Sequence, residues 1–268
     1  MPKTQLMAIL NVTPDSFYIN SRFPDIQRAI DTALTHQSHG ADILDIGGES
    51  SRPGAPSISE TDELERVIPV IQSLKSKLTI PISIDTVKPR VAAAAIEAGA
   101  VLINDINGFN DPEMIALAAD KKVDICLMHM QGSPRTMQMQ PYYPEGIIPH
   151  LLQWFERKCD TLIQFGVDPK KIILDPGIGF GKTIADNLQI IHNLPQFKRL
   201  GFRVLLGISR KSFLSKILNK PPEDLLAATL AINAIALTSH IDFIRVHDVK
   251  EHRDIIDLVD ALEKKKGL

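Results

Sequence analysis

The chain has 268 residues, 44% hydrophobic and 23% charged, which excludes a disordered or low-complexity protein. Thirty Lys and Arg against 32 Asp and Glu leave a net charge of −2, so neither nucleic acid nor an anionic membrane is expected as the main partner. Two cysteines, Cys126 and Cys159, have no His or second Cys at metal-ligand spacing, which points to a reduced, cytoplasmic setting.

The first apolar stretch, Leu6 to Val12, is too short for a signal core and runs into Thr-Pro-Asp rather than a small-residue cleavage site. No run reaches the roughly 18 apolar residues of a membrane span. From there the chain alternates. Short apolar or β-branched runs lie at Leu6–Val12, Ile43–Gly47, Ile82–Thr86, Leu102–Ile106, Asp124–His129, Ile172–Asp175, Val204–Ser209 and Phe243–His247. Their near-continuous apolar character suits strands covered on both faces. Helical patterns fill the intervals at Asp25–His39, Glu60–Leu78, Pro89–Ala98, Pro112–Lys121, Glu145–Phe165, Ile184–Leu194, Glu223–Ser239 and Val249–Lys265. Gly40 and Gly99 stand where helix C-terminal glycines belong, and Pro112 and Pro222 near helix starts. Eight βα repeats in one chain of this length predict an α/β fold, a single (β/α)8 TIM barrel spanning 1–268 as one domain. An open doubly wound sheet would require one of the eight runs to be something else.

In such a barrel the active site lies at the C-terminal ends of the strands, and the polar residues collect there. Asp85, Asn104 and Asp175 end runs three, four and six. A buried carboxylate accepts two N–H bonds from a guanidine-like edge, and an Asn serves the adjoining edge, so the three together suggest a flat, nitrogen-rich ligand. Any one of them alone would be read as a helix cap or a salt-bridge partner. Runs seven, eight and one contribute Ser209, Arg210, Lys211, Arg245, His247 and Asn11. Phosphate often binds near the last two loops of a barrel, and this set suits a diphosphate carrying Mg²⁺, an ion that keeps most of its waters. Arg245 could instead be a barrel salt bridge with Asp242 or Asp248. Gly181-Lys182-Thr183 looks like the end of a P-loop, but Pro176 stands where its first glycine would be.

These motifs resemble, in unbroken order from residue 6 to about 250, those of the dihydropteroate synthase family. They are Asn11-Val-Thr-Pro-Asp-Ser-Phe17, Glu49-Ser-Ser-Arg-Pro-Gly-Ala55, Ser83-Ile-Asp-Thr86, Asn104-Asp-Ile-Asn-Gly108, Met128-His-Met-Gln-Gly-Ser-Pro-Arg-Thr136, Asp175-Pro-Gly-Ile-Gly-Phe-Gly-Lys182, Ser209-Arg-Lys-Ser-Phe213 and Arg245-Val-His-Asp-Val249. The resemblance implies condensation of 6-hydroxymethyl-7,8-dihydropterin diphosphate with p-aminobenzoate to 7,8-dihydropteroate and diphosphate, in folate biosynthesis. It implies a pterin site of Asp85, Asn104, Met128, Asp175, Gly207 and Lys211. It also implies diphosphate contacts from Asn11, Ser51, Arg245 and His247, with Asn11 the Mg²⁺ contact. Phe17, Arg52, Pro53, Phe180, Lys211 and Ser212 would border p-aminobenzoate. Asp85, Asp175, Lys211, Arg245 and His247 carry the catalytic expectation. A homodimer is implied too, with the apolar helix through Ala227–Leu237 as a candidate interface. The alternatives are a pterin-dependent methyltransferase and a non-catalytic pterin-binding paralogue.

The loop after the first run departs from the family pattern. Phe17 is followed by Tyr18-Ile-Asn-Ser21 where Ser-Asp-Gly-Gly is usual, so Ile19 replaces a carboxylate, and Asn20 and Ser21 replace two glycines. Losing two glycines restricts the loop, and losing the carboxylate removes a partner for Arg52. An active synthase with a raised KM for p-aminobenzoate and near-normal pterin diphosphate binding is expected. Ile19→Asp combined with Asn20→Gly and Ser21→Gly should lower that KM in steady-state assays; an unchanged value would make the departure neutral.

Overall fold

A computed structural model describes residues 3–13, 22–52 and 54–265. The strands are β1 (Gln5–Asn11), β2 (Ile43–Gly47), β3 (Ile82–Asp85), β4 (Leu102–Asp105), β5 (Asp124–Met128), β6 (Ile172–Asp175), β7 (Arg203–Leu206) and β8 (Phe243–Val246). They pair in sequence order, all parallel, and β8 returns to β1 to close the barrel. The expected (β/α)8 barrel is the observed architecture.

The outer layer holds α1 (Arg22–Ser38), α2 (Glu60–Leu74), α3 (Pro89–Ala98), α4 (Pro112–Lys121), α5 (Ile147–Gln164), α6 (Ile184–His192), α7 (Leu194–Lys198), α8 (Ser212–Leu218), α9 (Leu226–Leu237) and α10 (Val249–Lys265). Local chemistry marks several ends. Ser59 caps α2, Asp111 caps α4 ahead of Pro112, and Thr183 and Asp186 form a reciprocal capping box on α6. Three expectations need correction. α2 stops at Leu74, not Leu78. The segment from Pro222 forms a short 3₁₀ turn, and α9 starts only at Leu226. α7 and α8 were not anticipated, because five and seven residues are too few to display a helical period.

Side chains alternate along every strand, and closure sends one set inward. The outward set, including Leu44, Ile46, Ile84, Ile103, Leu127, Leu174, Leu206 and Val246, joins the helices in the main core. The inward set begins as a separate apolar layer of Met7, Ile43, Leu102, Cys126, Ile173, Leu205 and Phe243. Two residues further along the strands the inward positions become Asp45, Asn104, Met128, Asp175, Gly207 and Arg245. The barrel is thus packed with hydrocarbon at its N-terminal end and with polar groups at its mouth. Gly47 lies at that mouth beside Asp85, where an added Cβ would make an ordinary contact 3.4 Å from the Asp85 Cβ.

Outside the barrel, Phe155 of α5 is fully buried, with its ring edge-on to Trp154 at 5.1 Å and to Phe197 at 6.1 Å between centroids. Phe155→Ala should cost about 3–5 kcal/mol, read as a lower denaturant midpoint at unchanged slope.

Candidate active site

Arg245 of β8 crosses the mouth of the barrel to two carboxylates. Its Nε donates to Asp45 Oδ2 at 2.6 Å, and its Nη2 donates to Asp85 Oδ2 at 2.7 Å. Asp45 Oδ2 also accepts from Asn104 Nδ2 at 3.0 Å. Asp242 and Asp248, the other candidate partners, instead take Lys198 and Arg210. Burial opposes the guanidinium charge, but Asp45 and Asp85 outweigh it and hold Arg245 firmly protonated. Asp85 moves the other way. Burial dominates over the pull of Arg245, and Asp45 adds like-charge repulsion, so its carboxyl is pushed up to about 7.

Asp175, at the end of β6, is buried, and its Oδ1 accepts the Gly177 N–H at 2.8 Å. Burial raises its proton affinity against the pull of Lys211. Lys211 sits after β7 with its ammonium 4.4 Å from the centre of the Phe180 ring and donating to the Ile178 carbonyl. Burial lowers it to about 8, opposed by Asp175. The loop carrying Ile178 and Phe180 is held by a second buried amine. Lys182 donates to the carbonyls of Phe180 at 2.9 Å and His129 at 3.1 Å, and meets His129 Nδ1 at 3.1 Å. This loop passes so close to β5 that a Cβ on Gly177 would lie 2.0 Å from the His129 carbonyl oxygen, and φ there is +68°. Only glycine fits.

His247 lies beside Ser209, whose Oγ accepts its backbone N–H at 3.2 Å and meets its Nδ1 at 2.9 Å. Burial, then the positive charge of Arg245, lowers the imidazole to about 4. At neutral pH His247 therefore presents a neutral ring, an N–H donor rather than a cation. Ser51 borders a cavity of about 440 Å³ with Asp85, Thr86, Asn107, Ser133 and Arg135. Met128 is buried at the end of β5, in register with Asp175, and Gly207 lies buried beside Arg245. Asn11 ends β1 in register with Gly47. Arg52 is exposed, and Ser212 lines a smaller cleft with Gly179 and Lys182. Phe17, Pro53 and the departing loop residues Ile19, Asn20 and Ser21 lie outside the described residues.

Asp45 and Lys182 escaped sequence reasoning. Asp45 looked like one polar letter inside an apolar run, yet it lies on the inward face two residues before Gly47. Lys182 appears in the sequence only as the end of a failed phosphate loop and of one family motif, with no role of its own. A charged residue inside an apolar run was the available signal for Asp45; Lys182, at the end of a glycine-rich loop, had none.

For Mg²⁺, the donor chemistry fits one kind of site. No cluster of three His, Cys, Asp or Glu able to hold a metal exists among the described residues. The Asn11 side-chain oxygen is a hard donor at the mouth, which suits an ion that keeps waters and takes its other ligands from phosphate.

A sequence profile of the pterin-binding enzyme family matches residues 7–247. The dihydropteroate synthase of Synechocystis is 47% identical over 262 residues, covering 97% of this chain and 90% of that one. Among solved structures, dihydropteroate synthase of Yersinia pestis in a sulfonamide complex superposes with a TM-score of 0.92 at 39% identity, over 98% of this chain and 95% of that one. The Clostridium difficile enzyme, solved in the presence of pteroic acid, gives 0.92 at 39% identity over 97% of both chains. With the profile spanning the barrel and relatives matched almost end to end, this chain belongs to the pterin-binding enzymes, in the dihydropteroate synthase family.

Proposed function

We infer that the protein is a dihydropteroate synthase, joining 6-hydroxymethyl-7,8-dihydropterin diphosphate to p-aminobenzoate with release of diphosphate. The observation that carries the reading is the convergence of Asp85, Asn104 and Asp175, all inward-facing at one barrel mouth, beside the amine of Lys211. Hydrogen-bond acceptors in that arrangement match the N–H groups of a pterin edge, and a lysine matches its carbonyl oxygen.

The reaction breaks the bond between the exocyclic methylene carbon and the diphosphate oxygen, and the electron pair leaves with diphosphate. The methylene is left cationic, its charge spread over the pterin ring. Buried carboxylates stabilise that charge more than water would, because they are already oriented. The neutral aryl amine then supplies its lone pair to form the C–N bond, and its proton passes to the departing diphosphate. Positioning and electrostatics therefore dominate, and no covalent enzyme intermediate is required. Arg245 and the neutral N–H of His247 face the leaving group, with Ser51 beside them. Asn11 would hold Mg²⁺, which supplies charge neutralisation on the diphosphate. The Phe180 ring and the Lys211 stem form one wall for p-aminobenzoate, with Arg52 and Ser212 at the rim.

A homodimer is part of the proposal. Ala227, Ala231 and Ile235 are exposed at four-residue spacing on α9, and Leu258 and Leu262 are exposed on the neighbouring α10. This apolar stripe supports a self-association face. No helix among the described residues is long and apolar enough to cross a membrane.

The direct test is incubation with pterin diphosphate, p-aminobenzoate and Mg²⁺, following diphosphate release and dihydropteroate formation. Product from wild type is expected; binding of pterin without turnover would favour the non-catalytic reading. In the same assay series, Asp175→Asn should weaken pterin affinity about 10- to 150-fold by calorimetry, the loss of a charge-assisted hydrogen bond.

Asp85 links the site to stability. Because burial raises its folded value from 3.8 to about 7, the folded protein keeps a proton that the unfolded chain has already released across that window. Its contribution to stability is present below pH 3.8 and falls as pH rises toward 7. Asp85→Asn removes that fall, so the Tm of the variant relative to wild type should climb between pH 4 and pH 7.5 in paired calorimetric scans.

A further inference from the structure

Asp45 is fully buried, on a strand whose other residues are all buried as well. Burying a carboxylate carries a desolvation penalty of several kcal/mol unless its partners compensate. An aliphatic side chain, like Ile43 and Ile173 in the layer below, would fill the position without that penalty. Asp45 is also poorly compensated as a structural group. Its Oδ1 is buried with no hydrogen-bond partner, and Ser83, its register partner on β3, has a buried Oγ that is likewise unpartnered. Both bonds of Asp45 go instead through Oδ2 to residues two strands away, Arg245 on β8 and Asn104 on β4.

Those two bonds have directional consequences. With Nε committed to Asp45, the guanidinium reaches Asp85 through Nη2 alone, so it engages a single oxygen of that carboxylate. Without Asp45 the fork could close on both oxygens of Asp85, the bidentate geometry that arginine prefers. Asp85 Oδ1 would then be spent inside the protein. Asn104 donates through Nδ2 to Asp45, which leaves its carbonyl oxygen free of Asp45 and able to accept from a ligand. One buried oxygen thus bears on what the barrel offers at its mouth: the Asn104 amide is fixed by its nitrogen, and Asp85 keeps one oxygen clear of the guanidinium, an acceptor once the pH rises above its raised value of about 7.

We propose that Asp45 is a positioning residue of the pterin site. Its Oδ2 holds Arg245 to a single contact with Asp85 and fixes the Asn104 amide by its nitrogen, leaving the carbonyl oxygen free to accept, so that the mouth reads an N–H-rich ligand edge. The proposal rests on the pterin reading above and adds to it a residue that need not touch the ligand. The charged groups facing Asp85 are Arg245 of β8, Asp45 of β2, Glu63 of α2 and Asp105 of β4, with Lys211 beyond β7. Of these, Asp45 is a like charge joined to Asp85 through the same guanidinium.

The test compares wild type, Asp45→Asn and Asp45→Leu for binding of pterin diphosphate by calorimetry across pH 5–9, with Tm measured alongside. Asp45→Asn should bind about 10- to 100-fold more weakly at pH 8. Its KM for p-aminobenzoate at saturating pterin diphosphate should stay within about twofold of wild type. The acid limb of its pterin-binding profile should move to lower pH, because removing the Asp45 charge lets Asp85 release its proton more readily. Asp45→Leu strips the buried Arg245 and Asn104 of a partner and should lower Tm as well as pterin affinity, so the isosteric Asp45→Asn, compared at temperatures where it is fully folded, separates positioning from folding. Pterin affinity within twofold of wild type in either folded variant, or a weaker Asp45→Asn with an unmoved acid limb, overturns the proposal. If wild type itself fails to bind pterin diphosphate, the functional reading fails first and the proposal falls with it.

Discussion

Closing eight parallel strands into a barrel leaves the inward side chains no solvent to turn to, so any charge placed there must find its counter-charge on another strand. Arg245 is that counter-charge at the mouth. Its guanidinium is the shared cation for Asp45 and Asp85, and it lowers the proton affinity of Asp175 as well. A lysine could bridge two carboxylates, as Lys88 does for Glu49 and Glu63, but it would lack the planar fork that fixes both in one geometry. The sign of the whole pocket follows. More buried carboxylate than cation lies on the side of Asp45, Asp85 and Asp175, which is the environment a developing positive charge requires.

The opposite wall is organised by amines. Lys182 and Lys211 both donate to carbonyls of the segment between Asp175 and Lys182, one from beneath and one from across the mouth. The backbone of that segment runs too close to β5 for side chains at Gly177 and Gly181, whose added Cβ atoms would meet carbonyl oxygens of His129 and Gln131 at 2.0 and 2.6 Å. The ring of Phe180 and the ammonium of Lys211 consequently owe their placement to contacts that involve no substrate. Pre-set walls of this kind spend little free energy on reorganisation when a ligand arrives.

The barrel was legible because its strands are covered on both faces, which makes them near-continuous apolar runs of matching length separated by helical periods. Strand ends were legible to within a residue or two, since Gly47, Asp85, Asp175 and their counterparts mark the change from hydrocarbon to polar chemistry; the exception is β7, which ends at Leu206 although its apolar run continues to Ile208. Short α7 and α8 were not, as a helix of one or two turns leaves no periodic trace. Within the site, residues at strand ends were readable because polarity there is conspicuous. Asp45 stands inside an apolar run rather than at its end, and its meaning depends on Arg245, 200 positions away in sequence. That pairing exists only once the barrel has closed. Protonation is the same kind of property: His247 is an ordinary histidine in the sequence, and burial beside Arg245 makes it a neutral one.

The apolar layer of Met7, Ile43, Leu102, Cys126, Ile173, Leu205 and Phe243 has a consequence for traffic. It stoppers the lower end of the barrel, so the interior is a blind well rather than a passage. Whatever rests on Asn104 and Asp175 near the bottom of that well can come and go only through the space above it. Two ligands stacked there are obliged to queue, the deeper one arriving first and departing last, with no gate or moving part needed to enforce the order.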